Sequence, residues 1–181
     1  MRRDLPLFRF AGEIDLIVTR EECITACARL ASSRLLGFDT ERIAYIKEHA
    51  KQGVSSNKAA VVQVGDGQYC ALFLVHLWSE PYEEFKQLMA SSNVEKVACC
   101  VQQDASSLRA RFPGLVIEGL VELRTMVKAK FPALGSYNLK SMVRKPQNTE
   151  NEIFEKKTEI GIFLTTALQL LTMSPRPVVC A

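Results

Sequence analysis

Two apolar runs joined by a glycine-rich turn constrain the fold more than any other part of the chain. Residues 59–64 and 69–75 are mostly apolar, and the four residues between them read Gly65-Asp66-Gly67-Gln68. Glycine supplies the positive φ that tight turns require, so this pattern predicts a β-hairpin. The chain therefore contains a β-sheet.

The segments around this hairpin alternate between strand and helix patterns. The spacing of Thr19 and Glu22 predicts a capping box, which opens a helix that runs to about Ala31. Other strands are predicted at residues 13–19, 34–38, 94–101 and 115–117, and other helices at 79–90, 102–111, 120–130, 138–143 and 158–173. Residues 42–58 are predicted to be a long connection and 144–157 a polar segment. This order predicts a single α/β domain over residues 1–181, with a mixed sheet flanked by helices.

Composition excludes several classes of protein. The 181 residues are 48% hydrophobic and 24% charged with a net charge of +3, which is typical of a globular chain and compatible with a nucleic-acid partner. No apolar run approaches the roughly 18 residues of a membrane span, and no secretory signal is visible. The six cysteines form no Cys-x-x-Cys pair, and Cys23 and Cys27 are expected to pack as apolar side chains on one helix. We expect an intracellular protein with reduced thiols, in the nucleus or the cytoplasm, with an organelle as the open alternative.

Three acidic residues are candidates for a chemical site. Asp39 and Glu41 follow an apolar strand and are two residues apart, so both carboxylates lie on the same side of that strand. Asp104 comes just after the predicted strand 94–101, from where its side chain can point to the same edge of the sheet. Carboxylates are the ligands that Mg²⁺ and Mn²⁺ prefer. Solvated acids at the ends of strands and helices are the alternative explanation for the same residues.

The order of short motifs along the chain resembles the DEDD superfamily of 3′–5′ exonucleases, and is most similar to its RNase D and Werner-type branch. The similarity covers about residues 14–173. The motifs are Leu36-Gly37-Phe38-Asp39-Thr40-Glu41, Ala60-Val61-Val62-Gln63-Val64, Glu95-Lys96-Val97, Asp104 with Leu108, and Tyr137-Asn138-Leu139-Lys140-Ser141-Met142-Val143.

The resemblance implies a ribonuclease H-like fold and a two-metal hydrolytic site that uses Mg²⁺ or Mn²⁺. In such a site Asp39 would bridge both ions and Glu41 would ligate one of them. Asp104 would act mainly through metal-bound water. In this family a final helix carries a last Asp, together with a Tyr or His that orients the attacking water.

The final motif of the family is missing from this sequence. Ile160 and Leu164 stand where the water-orienting residue and the last Asp are expected, and the sequence has no aspartate after Asp104. Glu159 is the nearest candidate for a substitute ligand, and Glu152 and Glu155 are the others. Losing a carboxylate ligand and the water-orienting residue is expected to weaken metal binding and catalysis strongly.

Basic residues near the presumed cleft predict where a nucleic acid would bind. Lys140, Arg144 and Lys145 are candidates for phosphate contacts, with a solvated surface of mixed charge as the alternative. We expect a nucleic-acid-associated, exonuclease-like domain that is catalytically impaired or inactive and serves as a binding or scaffold subunit in RNA or DNA processing. One alternative is an active enzyme that hydrolyses single-stranded RNA or DNA to nucleoside monophosphates with a substitute ligand. Another is a module that binds only protein partners.

Overall fold

A mixed sheet of six strands organises the part of the chain that the computed structural model describes, which is residues 12–42, 57–130 and Pro132. The strand order across the sheet is β1-β4-β3-β2-β5-β6. The strands are β1 (Glu13–Ile17), β2 (Leu35–Arg42), β3 (Ala59–Gly65), β4 (Tyr69–Phe73), β5 (Glu95–Ala98) and β6 (Leu120–Glu122).

Antiparallel pairing holds the centre of the sheet together, and parallel strands extend it on both sides. Strand β3 pairs antiparallel with β2 and β4, whereas β1 pairs parallel with β4, and β5 and β6 continue parallel from β2. The predicted hairpin is confirmed as the β3–β4 connection. In its turn Gly67 has a φ of 94°, and an Asp66 carboxylate oxygen accepts hydrogen bonds from the backbone N–H groups of Gln68 and Tyr69.

Helices flank this sheet, which confirms the predicted α/β class. They are α1 (Arg20–Leu30), α2 (Glu83–Ala90), α3 (Val101–Arg111) and α4 (Leu123–Lys130), with a short 3-10 helix at Val75–Leu77. The predicted capping box is confirmed, because the Thr19 hydroxyl accepts from the backbone N–H of Glu22 and the Glu22 carboxylate accepts from that of Thr19. No helix among the described residues has the length and apolar character that crossing a bilayer requires.

The hydrophobic core lies between the sheet and these helices. The aromatic rings of Phe73, Trp78 and Phe85 pack on one another with centroids 5.0–6.1 Å apart. The Trp78 indole N–H donates to the backbone carbonyl of Val18, so this side chain packs internally. Cys23 and Cys27 are buried with their sulfur atoms 3.8 Å apart, which confirms that they pack within the fold.

The strand predicted at residues 115–117 is wrong. Leu115 and Ile117 are buried, as their apolar character requires, but their backbone is not part of the sheet. The next residues connect to other elements, since Glu118 N–H donates to the Met89 carbonyl and the Gly119 carbonyl accepts from Lys96 N–H. The sixth strand therefore begins at Leu120, where the sequence predicts the start of a helix.

Other predicted boundaries differ from the structure by a few residues. Strand β2 continues to Arg42 instead of ending at Phe38, because β3 pairs with it from Gly37 to Arg42, with an irregularity between Glu41 and Arg42. Strand β5 ends at Ala98, and the next two residues form the turn that leads into α3. The helix predicted from residue 79 begins at Glu83. The helices predicted at 138–143 and 158–173 and the segment 144–157 lie outside the described residues, as does most of the connection 42–58.

Candidate active site

The second half of β2 carries the first pair of predicted site residues. Alternation along the strand places Asp39 and Glu41 on one side, and Thr40 and Arg42 on the other. Asp39 is half-buried and Glu41 is exposed. Gln63 lies opposite Asp39 on β3 and is buried, so the two residues are cross-strand neighbours on one face of the sheet.

Strand β5 stops short and leaves room beside this half of β2. Its pairing with β2 is confined to Leu35–Gly37 in the described structure. Helix α3 follows β5 in the chain. Beyond Gly37, where β5 no longer pairs with β2, a side chain of α3, that of Asp104, contacts the edge of β2. One oxygen of the Asp104 carboxylate accepts a hydrogen bond from the Thr40 hydroxyl at 2.8 Å and another from the Thr40 backbone N–H at 3.3 Å. The structure thus brings Asp104 to the strand that carries Asp39, as the sequence predicts.

The electrostatics of the site are those of crowded carboxylates. Burial, followed by the negative charges of Asp104 and Glu41, raises the pKa of Asp39 to about 7. Burial also raises the pKa of Asp104, and the hydrogen bonds from Thr40 and the positive charge of Arg42 oppose that shift. A cation placed among these carboxylates would relieve the repulsion that disfavours their charged forms.

Arg42 is a second link between β2 and α3. Its Nε–H donates to the Ser107 hydroxyl at 3.0 Å, and that hydroxyl donates to the Gln103 carbonyl one turn earlier on the helix. The guanidinium is therefore held on α3 close enough to Asp104 to influence its pKa. This chain supplies a fixed positive charge beside one of its own candidate metal ligands.

The start of α3 is tied to the sheet by Glu122, the last residue of β6. The two carboxylate oxygens of Glu122 accept hydrogen bonds from the backbone N–H groups of Cys100 and Val101, at 3.2 and 3.1 Å. Asp104 lies one helical turn after this contact. The position of Asp104 is thus determined by β6 on one side and by β2 on the other.

The donor chemistry of Asp39, Glu41 and Asp104 fits a hard divalent cation such as Mg²⁺ or Mn²⁺, because all the ligand atoms are carboxylate oxygens. Within residues 12–42 and 57–132, as far as the structure describes them, no three acidic, histidine or cysteine side chains are grouped closely enough to hold an ion. The roles of these three residues as metal ligands stay a prediction. Glu159, the proposed substitute ligand, and the basic residues Lys140, Arg144 and Lys145 lie outside the described residues.

Sequence reasoning missed three residues of this site: Thr40, Arg42 and Glu122. Glu122 left a signal that could have been used. The residue before α3 is Cys100, which is a poor helix cap, so the first N–H groups of the helix need an acceptor from elsewhere in the fold. Thr40 and Arg42 left no such signal, because their partners are about 64 residues away along the chain.

Comparison with known proteins gives a match over most of the chain. Residues 14–162 match the family model described as 3′–5′ exonuclease. No curated protein sequence is a significant match.

Solved exonuclease structures share this fold. RNase D of Trypanosoma brucei in complex with RNA U12 is 18% identical and superposes with a TM-score of 0.55, covering 66% of this chain and 40% of its own. The EXD2 exonuclease domain is 17% identical with a TM-score of 0.55, covering 87% of this chain and 84% of its own. Crystals of that domain were also soaked in Mg with dGMP and in Mn with GMP. This chain thus spans less than half of the RNase D chain but most of the EXD2 domain, and the predicted ribonuclease H-like architecture is confirmed.

Proposed function

Because this chain belongs to the 3′–5′ exonuclease family, we propose that it binds single-stranded RNA or DNA and hydrolyses it slowly or not at all. It would then act as a binding or scaffold subunit in nucleic-acid processing. The observation that carries this proposal is the engagement of Asp104 within the protein itself. A carboxylate oxygen of Asp104 accepts two hydrogen bonds from Thr40, and its charge is balanced in part by Arg42.

The sequence supports the same conclusion at the other end of the chain. No aspartate follows Asp104, and Leu164 stands where the family's last motif requires an acid. A metal site built only from carboxylates depends on their number for its affinity, so a chain with one fewer holds its ions weakly.

The roles of the site residues follow from their chemistry. Asp39, Glu41 and Asp104 would hold Mg²⁺ or Mn²⁺, with Glu159 as a substitute ligand. When bound, such ions stabilise the attacking and leaving oxygens of a phosphodiester during hydrolysis. Thr40 orients the Asp104 carboxylate, and its hydrogen bonds oppose the rise in pKa that burial causes there, because a hydrogen bond to the charged form favours that form. Lys140, Arg144 and Lys145 would contact the phosphates of the bound strand.

A working exonuclease is the second candidate, and one observation favours it. Burial, followed by the charges of Asp104 and Glu41, raises the pKa of Asp39, and those two charges retain a negative potential that attracts divalent cations at this edge of the sheet. In this version Glu159, or else Glu152 or Glu155, completes the set of ligands. The phosphodiester would be cleaved to release nucleoside monophosphates from the 3′ end.

A labelled-strand assay separates the two candidates. A short 5′-labelled RNA and its DNA counterpart are incubated in Mg²⁺ and in Mn²⁺ with wild-type protein, with Asp39→Asn and with Glu95→Gln, an exposed acid on β5 that serves as control. The proposal predicts that all three proteins bind the strand and that wild type shortens it slowly at most. A rapid ladder from the 3′ end that disappears only in Asp39→Asn would establish the second candidate. A strand that is neither bound nor cut would contradict both and favour a module for protein partners.

A further inference from the structure

Helix α3 begins without a capping group of its own. Its N-cap residue, Cys100, has a φ of 68°, and its side chain makes no capping hydrogen bond. A residue with a β-carbon rarely adopts this left-handed conformation, and it persists only where surrounding contacts hold it in place. The start of α3 therefore depends on a group from another element.

Glu122 is that group. Its carboxylate accepts one hydrogen bond from Cys100 N–H and one from Val101 N–H, using a different oxygen for each. Glu122 also lies opposite Ala98 in the parallel pairing of β6 with β5, so its backbone is fixed by the sheet. A negative charge at the N-terminus of a helix is further stabilised by the helix dipole.

The contact is linked to Asp104 through the first turn of α3. The Cys100 carbonyl accepts from Gln103 N–H at 2.8 Å and from Asp104 N–H at 3.4 Å. The Asp104 carboxylate then reaches Thr40 on β2. A shift at the capped end would thus move Asp104 relative to β2.

We infer that Glu122 is a positioning residue, which sets where the Asp104 carboxylate lies against β2 by capping α3 from β6. The inference rests on the proposed function in one respect, which is that Asp104 is a residue of the candidate site. It assigns a role to an acid whose carboxylate bonds to the start of α3. A helix cap that served stability alone would leave the distant contact of Asp104 with Thr40 unchanged.

Amide hydrogen exchange of the metal-free protein tests this distinction. The Thr40 N–H donates to Asp104 and is on a different strand from Glu122, so its exchange rate reports the position of Asp104. In Glu122→Gln we expect exchange at Cys100, Val101 and Thr40 to become about tenfold faster, which corresponds to the loss of one charge-assisted hydrogen bond. Glu95→Gln, the control on β5, should leave Thr40 unchanged. Faster exchange at Cys100 and Val101 with wild-type exchange at Thr40 would overturn the inference.

Hydrogen exchange in a second background and a Mn²⁺ titration complete the test. If Glu122→Gln alone is too unstable, the same comparison is made with Cys100→Gly added to the wild-type and variant chains, since glycine relieves the strained φ. Titration with Mn²⁺ then reports the site directly, and we expect a half-saturation concentration several times higher in Glu122→Gln than in Glu95→Gln. If wild-type protein binds no Mn²⁺ while Thr40 exchange is still accelerated, the positioning role is supported and the metal part of the proposed function fails.

Discussion

The hydroxyl of Thr40 and the carboxylate of Asp104, which are 64 residues apart in sequence, are joined by a hydrogen bond of 2.8 Å. This bond attaches α3 to β2 beyond the point where β5 stops pairing. The same oxygen of Asp104 also accepts from the Thr40 backbone, so a single residue of β2 supplies both donors. The spacing between the strand and the helix in the candidate site therefore depends on Thr40.

Thr40→Val removes the hydroxyl at almost unchanged shape. We expect the free energy of unfolding to fall by about 1–3 kcal/mol, since a buried carboxylate loses one of its donors. Urea denaturation measures this loss. Thr25→Val is the matched control, because Thr25 is exposed on α1 and its hydroxyl donates to a carbonyl of its own helix. An equal loss in the two variants would contradict the role given to the Asp104 contact.

Asp39 makes the stability of the metal-free protein depend on pH. Its pKa in the fold, about 7, lies above the usual value of 3.8. Between these values the folded protein binds the extra proton, so this group's contribution to stability falls as pH rises from about 4 to about 7 and is constant above that.

Asp39→Asn removes this dependence. Since one pKa unit corresponds to about 1.4 kcal/mol and Asp39 is partly solvated, we expect the variant to be more stable than wild type by about 1–3 kcal/mol at pH 8. The advantage should shrink toward pH 4. Denaturant unfolding in EDTA across this range measures it. A difference between the two proteins that stays constant with pH would contradict the assigned pKa.

We expect Lys96 to make stability depend on pH in the opposite direction. It is fully buried on β5, and its ammonium donates to the Ser91 and Glu118 carbonyls at 2.6 and 3.0 Å. Burial lowers its pKa to about 8 from 10.5, so the unfolded chain binds the extra proton between these values. The contribution of Lys96 to stability therefore rises with pH from about 8 to about 10.5.

Replacing Lys96 with methionine should abolish this part of the pH profile. The matched control is Lys86→Met, because the Lys86 side chain is partly exposed and is paired with Glu83. The free energies of unfolding of wild type and the two variants are compared at pH 7.5 and pH 10. Parallel profiles for Lys96→Met and wild type would contradict the lowered pKa.

Gly119 is required by the close approach of two loops. Its φ is +65°, and a β-carbon there would lie 2.5 Å from the Val94 carbonyl oxygen. Gly114 has a φ of +85° but open space around it, so Gly114→Ala measures the conformational cost alone, about 1–2 kcal/mol. We expect Gly119→Ala to be clearly more destabilising, because it adds a backbone clash. Equal melting temperatures for the two variants would show that the loops separate easily.

The predicted phosphate contacts can be tested by their salt dependence. Changing Lys140, Arg144 and Lys145 together to Gln should weaken binding of single-stranded RNA. If each contacts a phosphate, the slope of log affinity against log salt should become less steep by about 2, at about 0.7 per contact. The control changes Arg20, Lys86 and Lys128, three surface cations of the described part of the chain, to Gln. Equal slopes in the two triple variants would locate the binding surface elsewhere.

Local signals predicted the elements of this fold well. The capping box of α1 and the glycine turn of the β3–β4 hairpin each rest on residues within a few positions of one another, and both are confirmed. Leu115 and Ile117 show the limit of such signals. Their alternation indicates a strand, but it reports only that both side chains are buried, and the backbone there makes its contacts with a loop and a helix end. In a short segment, alternating apolar residues therefore do not distinguish a paired strand from a loop whose side chains are buried.

Asp39, Glu41 and Asp104 could be named as candidates because they follow predicted strands and stand in an ordered set of motifs. The structure brings Asp104 to the strand that carries the other two. Thr40 and Arg42 gain their roles from contacts across the fold, which no local pattern encodes. Glu122 is an ordinary acid in the sequence and becomes a helix cap only because β6 ends beside the start of α3.

The short pairing of β5 with β2 has a consequence for the order in which the protein folds. The β3–β4 hairpin closes across a few residues, whereas Leu35 must find Glu95 about sixty residues away. Closing a long loop is slow, because its entropy cost must be met before the distant native contacts can form and offset it. We therefore expect the hairpin to form early and the carboxylate site to assemble near the end of folding.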